Sequence, residues 1–125
     1  MKHILLFLFV AIASTSALAQ KKELIEDKET IIARAGEALD ASMQPGGSLY
    51  EAVLKEHLTG IYVMKVSFRD KGDISSVFVE SGQGGDIPTQ NRFKDLVHQG
   101  RMPFKMPKGR QYSVTHTFDL NAINR

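Results

Sequence analysis

"VMKVSFRDKGDISSVFVESG", residues 63–82, decides the fold of this 125-residue chain. From Ile61 to Arg69 the side chains alternate, with Tyr62, Met64, Val66 and Phe68 on one side and Val63, Lys65, Ser67 and Arg69 on the other. A period of two belongs to a β-strand, whose successive side chains point to opposite faces. Asp70-Lys71-Gly72 follows as a turn, because glycine takes the positive φ that a short bulged hairpin requires. Ile74 to Ser81 is the return strand. Val77 and Val79 keep its alternation while Ile74 and Phe78 fall out of step, which predicts a β-bulge or a strand covered on both sides.

Outward from the hairpin the period changes. Between Lys22 and Met43 the apolar residues Leu24, Ile25, Ile31, Ile32, Ala35, Leu39 and Met43 fall mostly at helical spacing, which predicts an amphipathic helix ended by Pro45-Gly46-Gly47. Ser48 with Glu51 three residues on is a capping-box pattern. It predicts a second helix with Tyr50, Val53, Leu54 and His57 on one face and Gly60 as its stop. Beyond the hairpin, Gly82 to Gly85 form a loop, and Asp86 or Thr89 caps a short helix carrying Phe93, Leu96 and Val97 up to Gly100. Pro103 and Pro107 predict an irregular Arg101–Gly109 segment. The closing strand has Tyr112, Val114, His116, Phe118 and Leu120 on one face and Gln111, Ser113, Thr115, Thr117 and Asp119 on a wet face. The predicted class is α+β. A three-stranded antiparallel or mixed sheet, in the order 2-1-3, carries helices on one face and leaves its second and third strands as edges.

The first residues bear on compartment. Lys2 and His3 precede an apolar run from Ile4 to Ala13, and Ala17-Leu18-Ala19 supplies a small-x-small pattern before Gln20. Residues 1–19 are therefore expected to be a signal peptide cleaved after Ala19. An uncleaved anchor is the weaker alternative, because the run is shorter than the roughly 20 residues needed to span a bilayer and lacks a basic stop-transfer flank. A periplasmic or secreted product with no stable membrane span is expected, divided into an N-terminal helix and linker at 20–47 and a sheet domain at 48–125. The chain has no cysteine, so neither disulfides nor a lipidated cysteine contribute. Its 16 Lys plus Arg against 14 Asp plus Glu give near-neutrality, which argues against a nucleic-acid partner.

The side chains offer little for catalysis. His57, His98 and His116 stand apart, without His-x-His, HExxH or a cysteine, so no metal or other cofactor is expected and the chain is read as a non-enzyme. His116 is read as a half-core histidine with one hydrogen-bond partner. Ser113 and Asp119 resemble its triad partners on paper, but on a strand His116 points away from both. Gly82 to Gly85 lack the following Lys-Ser/Thr of a phosphate loop and read as a hinge. Arg101, Lys105, Lys108 and Arg110 form an acid-free basic loop beside Met102, Phe104 and Met106, which are read as exposed. That loop is either a solvated connection with Phe104 and one Met plugging the core, or a contact patch for an acidic or mixed partner surface. Backbone chemistry remains: an edge strand offers unpaired N–H and C=O groups to which a peptide adds as a further strand.

"TGIYVMKVSFRDKGDISSVFVESG" (59–82), "QNRFKDLVHQG" (90–100), "MPFKMPKGR" (102–110) and "YSVTHTFDL" (112–120) together resemble the C-terminal domain of the TonB family over about Leu49 to Leu120. The likeness rests on Gly60 before the first strand, the alternation through Phe68, Gly72 and Ile74 at the turn, Val77 and Val79, and Phe104. Pro103 precedes Phe104 where the family's proline follows its aromatic, and the chain has no Trp. The resemblance implies a three-stranded sheet with helices on one face. It also implies capture of a short outer-membrane receptor segment by strand addition to the last strand, here Gln111–Asp119. The expected function is thus a non-catalytic exported module that binds an envelope protein or peptide. Gln111, Ser113, Thr115 and Thr117 are its expected edge contacts, with Arg101, Phe104, Lys105, Lys108 and Arg110 beside them. The alternative is a structural or assembly protein that forms homodimers or larger oligomers through the Lys22–Met43 helix or its sheet edges.

Overall fold

Residues 22–124 are described in the computed structural model, and the expected signal peptide lies outside them. In chain order the elements are β1 (Glu23–Leu24), α1 (Lys28–Ser42), α2 (Ser48–Glu56), β2 (Ile61–Arg69), β3 (Ile74–Gln83), α3 (Ile87–His98), β4 (Phe104–Lys105), β5 (Gln111–Asp119) and a closing 3-10 turn (Leu120–Ala122). The class is α+β. A three-stranded antiparallel sheet runs in the order β3-β2-β5, and β1 and β4 form a separate parallel pair. No helix among the described residues is long and apolar enough to cross a membrane.

The alternation in β2 makes it the spine. Tyr62, Met64, Val66 and Phe68 are all buried, and they meet Tyr112 and Phe118 of β5 on the same face. Ile31, Ala35 and Leu39 of α1, Leu49 and Val53 of α2, and Phe93 and Val97 of α3 complete one core against that face. Aromatic rings run through it: Tyr62 stacks on Phe93 at 6.2 Å, Phe93 meets Phe118 edge-on at 5.1 Å, and Phe68 lies 6.3 Å from both Phe104 and Tyr112. Pairs at such separations add stabilisation beyond the area they bury.

Two bulges explain the irregular return strand. Ser67 pairs with Ser76 but Phe68 pairs with Ile74, so Ser75 is an extra residue, and Glu80 is extra between Ser81 and Val79. The Ser75 bulge restores Ile74 to the dry face, where it is buried opposite Phe68. Phe78 opposes Lys65 on the wet face and is 64% exposed.

Helix boundaries differ from the sequence expectation where caps decide them. The first helix starts at Lys28 instead of Lys22, because the Asp27 carboxylate accepts from the Thr30 N–H (2.9 Å) and hydroxyl (2.7 Å) and closes the N-terminus there. Those hydrogen bonds hold the Asp27 carboxyl below its ordinary pKa. Upstream, Glu23 and Leu24 leave the helical path and pair with β4, with Ile25 N–H bonding Lys105 O at 2.9 Å. The capping box at Ser48 does not form: Gly47 is the N-cap, Ser48 is the first helical residue, and Glu51 Oε1 accepts instead from Gly46 N–H at 3.3 Å. Leu49 takes the buried place expected for Leu54, which is 42% exposed. The second helix stops at Glu56, before Gly60, because His57 adopts the left-handed conformation (φ 54°). Asp86 caps α3 through the Thr89 N–H, and hydrogen bonding to the Thr89 side chain and backbone lowers its pKa.

Two cross-links tie these pieces together. Arg92 of α3 forks onto Glu56 of α2 at 2.7 and 2.8 Å, and this hydrogen bonding lowers the Glu56 pKa and raises that of Arg92. After β5, Asn124 Nδ2 donates to Leu58 O (2.6 Å) and Val53 O (3.3 Å), and Asn121 Oδ1 accepts from Gly60 N–H (2.8 Å). Val53 O already accepts from the His57 and Leu58 N–H groups, so Asn124 adds a further donor there and caps the Leu58 carbonyl just beyond α2.

The Arg101–Gly109 segment departs most from expectation. Met102, Phe104 and Met106 are all buried, so they form no exposed apolar patch, and Phe104 is a core residue instead of a partner contact. They alternate with exposed Arg101, Pro103 and Lys105, in a strand-like path fastened to the hairpin turn. Met102 N–H bonds Gly72 O at 2.7 Å, and Met106 N–H bonds Asp70 O at 2.8 Å. Gly72 has φ +90°, and a Cβ there would lie 2.5 Å from Met102 O, so glycine is needed both for the turn and for this approach.

Candidate functional site

The direction of each backbone group in the sheet follows from three observations. Residues of β2 and β5 face each other with constant register, Ile61 opposite Asp119 through to Arg69 opposite Gln111. The ladder continues as Leu120 N–H bonds Gly60 O at 2.9 Å, so the even-numbered residues exchange hydrogen bonds across β2 and β5. On the other side Arg69 N–H bonds Asp73 O at 3.0 Å, which turns the odd-numbered residues of β2 toward β3. The N–H and C=O groups of Gln111, Ser113, Thr115, Thr117 and Asp119 therefore point to the outer edge of β5, where no strand among the described residues pairs with them.

The sheet's two edges are unequal. Along β3 the bulges at Ser75 and Glu80 break the spacing that an added strand would have to match. By contrast, β5 runs nine residues without a register shift. On its wet face Gln111, Thr115 and Thr117 are exposed, and the Ser113 hydroxyl is bonded to that of Ser67 at 2.8 Å. Toward its C-terminal end β5 borders an open groove of about 460 Å³, whose far wall is Asp40, Met43 and Pro45 at the end of α1, with Tyr50 and Ile123 beside them. His116 projects on that side, 14% exposed, with Nε2 3.1 Å from Asp40 Oδ1 and its ring edge-on to Phe118 at 4.8 Å. It is the half-buried histidine with one partner that the alternation implies, and it faces away from Ser113.

At the opposite end of the molecule the basic loop joins residues from elsewhere. Arg101, Lys105 and Lys108 line a groove of about 550 Å³ together with Lys22 and Lys71, the single acid Asp70, and the apolar Leu24, Met106 and Pro107. Arg110 is exposed but is not part of this lining. Lys22 and Lys71 carry no local signal for this placement. The structure thus divides the expected contact residues into an edge (Gln111, Ser113, Thr115, Thr117), a basic groove (Arg101, Lys105, Lys108), an outlying cation (Arg110) and a core residue (Phe104). Among the described residues no three His, Cys, Asp or Glu side chains gather as a metal site.

No protein-family model matches the chain, and comparison with curated proteins and with solved structures found no match.

Proposed function

We propose that this chain is a non-catalytic exported binding module of the TonB C-terminal type, which takes an extended segment of an envelope protein as a fourth strand on β5. The observation that carries this reading is the unbroken outer edge of β5, with five residues whose backbone donors and acceptors face outward. Main-chain hydrogen bonds supply affinity in such a union, and side-chain grooves supply specificity. The groove beside His116 and Met43 offers an added strand room for alternate side chains. The sequence resemblance over Leu49–Leu120 supports the reading independently, and the apolar run and Ala-Leu-Ala pattern before Gln20 support export.

The test is capture from envelope extract by the tagged mature chain, followed by hydrogen exchange on the captured complex. Slowed exchange at the amides of Ser113, Thr115 and Thr117, and loss of capture in Thr115→Pro, are expected. A partner that Thr115→Pro still retains, without protection of those amides, rejects strand addition. A dimer of the purified chain that Thr115→Pro dissolves moves the reading to self-assembly through the same edge.

A further inference from the structure

We propose that the basic groove between β1, the β2–β3 turn and β4 is a binding site for a phosphate-bearing ligand of small-molecule size, separate from the strand-adding edge. Its five cations come from stretches far apart in sequence: Lys22 before β1, Lys71 at the hairpin tip, Arg101 after α3, and Lys105 and Lys108 around β4. The fold, and not a local charge run, brings them around one concavity. Asp70 is the single acid in the lining, and none of the five cations forms an ion pair with a described residue. The chain as a whole is nearly balanced, at +2. Five like charges converging on a low-dielectric wall repel one another and focus a positive potential that an anion relieves.

The concavity is preformed. Its walls are fastened by the backbone bonds Met102 N–H to Gly72 O, Met106 N–H to Asp70 O and Ile25 N–H to Lys105 O. Lys22 Nζ lies 3.4 Å from the carbonyl oxygens of both Lys71 and Met102, so its ammonium is drawn toward the wall. The volume of about 550 Å³ falls within the roughly 300–1,000 Å³ of ordinary ligand sites. Charge density selects the ligand class. A carboxylate brings one charge, whereas a phosphate monoester brings about 1.5 to 2 with three acceptor oxygens in the space of a few atoms. Leu24, 56% exposed, together with the partly exposed Pro107 offers apolar surface for the carbon part of such an ester. The same phosphate chemistry is presented by a soluble phosphorylated compound and by an anionic lipid headgroup.

Calorimetry on the mature chain with sodium pyrophosphate, and co-sedimentation with phosphatidylglycerol vesicles, separate these sources. Binding to pyrophosphate identifies a soluble ligand and binding to vesicles alone a headgroup, and either supports the site. Lys105→Gln/Lys108→Gln is expected to weaken binding by roughly tenfold or more, since charge-assisted hydrogen bonds are lost. The charge-matched Lys65→Gln/Lys94→Gln is expected to leave it unchanged. No binding to either probe, equal loss in the two double variants, or binding of a Glu-rich peptide without either phosphate probe overturns the proposal. Thr115→Pro leaves phosphate binding intact, so failure of strand addition and failure of this site are told apart.

Discussion

Proline placed at two adjacent positions of β5 should have unequal consequences. Val114 exchanges hydrogen bonds with Val66, whereas the Thr115 N–H points to the open edge. Val114→Pro deletes the donor to the carbonyl of Val66, a fully buried residue of the central strand. The orphaned acceptor costs about 1–3 kcal/mol, before any clash of the proline ring with β2. Thr115→Pro removes a donor that faces solvent, and an edge strand tolerates proline on that side. The two variants should thus differ by about 1–3 kcal/mol, or roughly 5- to 150-fold in the unfolding constant. Urea unfolding followed by circular dichroism, with linear extrapolation at equal m, measures the difference. Equal destabilisation by the two prolines, or the greater loss at Thr115, would refute the assignment of odd-numbered residues to the free edge and the functional reading built on it.

Other perturbations follow from the same structure. The Tyr112 hydroxyl is buried without a partner, so Tyr112→Phe should leave stability unchanged or raise it by up to about 1 kcal/mol in a urea titration. Gly72→Ala forces a side chain into φ +90° and against Met102 O, and should destabilise the fold by at least about 1 kcal/mol, read as a lower urea midpoint. The pKa values of Asp27, Glu56 and Asp86 are lowered in the folded state from 3.8, 4.5 and 3.8. Their contribution is therefore complete above those unfolded values and disappears as pH falls through the lower folded ones. Urea midpoints measured from pH 6 to pH 2.5 should decline mainly below about 4.5, and Glu56→Gln should flatten part of that decline.

The long strands were legible because one face of each is dry. Tyr62 to Phe68 and Tyr112 to Phe118 alternate without interruption, and the structure places strands at Ile61–Arg69 and Gln111–Asp119. The slip in the return strand was legible as well, since Ile74 breaks phase and a bulge at Ser75 accounts for it. Short parallel pairing was not. Two residues in β1 have no period to detect, and helical spacing of Leu24 and Ile25 with Ile31 pointed the other way until Asp27 capped the helix. Met102, Phe104 and Met106 did carry a signal, because they alternate, but Pro103 among them and Pro107 after them suggested irregular chain. Prolines are compatible with that path because it bonds to the hairpin turn through the N–H groups of Met102 and Met106, the residue just before each proline. For the candidate sites, Arg101, Lys105 and Lys108 stood out as an acid-free run. Lys22 could not, because it reaches the turn and Met102 across 49 and 80 residues of chain. Which backbone groups of β5 face outward depends on the Gly60–Leu120 bond, a long-range fact that no local pattern encodes.

The inequality of the two sheet edges also sets a stoichiometry. A strand that joins β5 extends the sheet by one on that side, while β3 on the other side, with residues displaced at Ser75 and Glu80, makes a poor template for the next. Two copies meeting through β5 about a two-fold axis would form six strands bounded on both sides by β3, a closed pair with no free end that fits another copy. The bulges act as chain terminators. If strands add to β5 as proposed, growth by edge pairing would stop after a single addition.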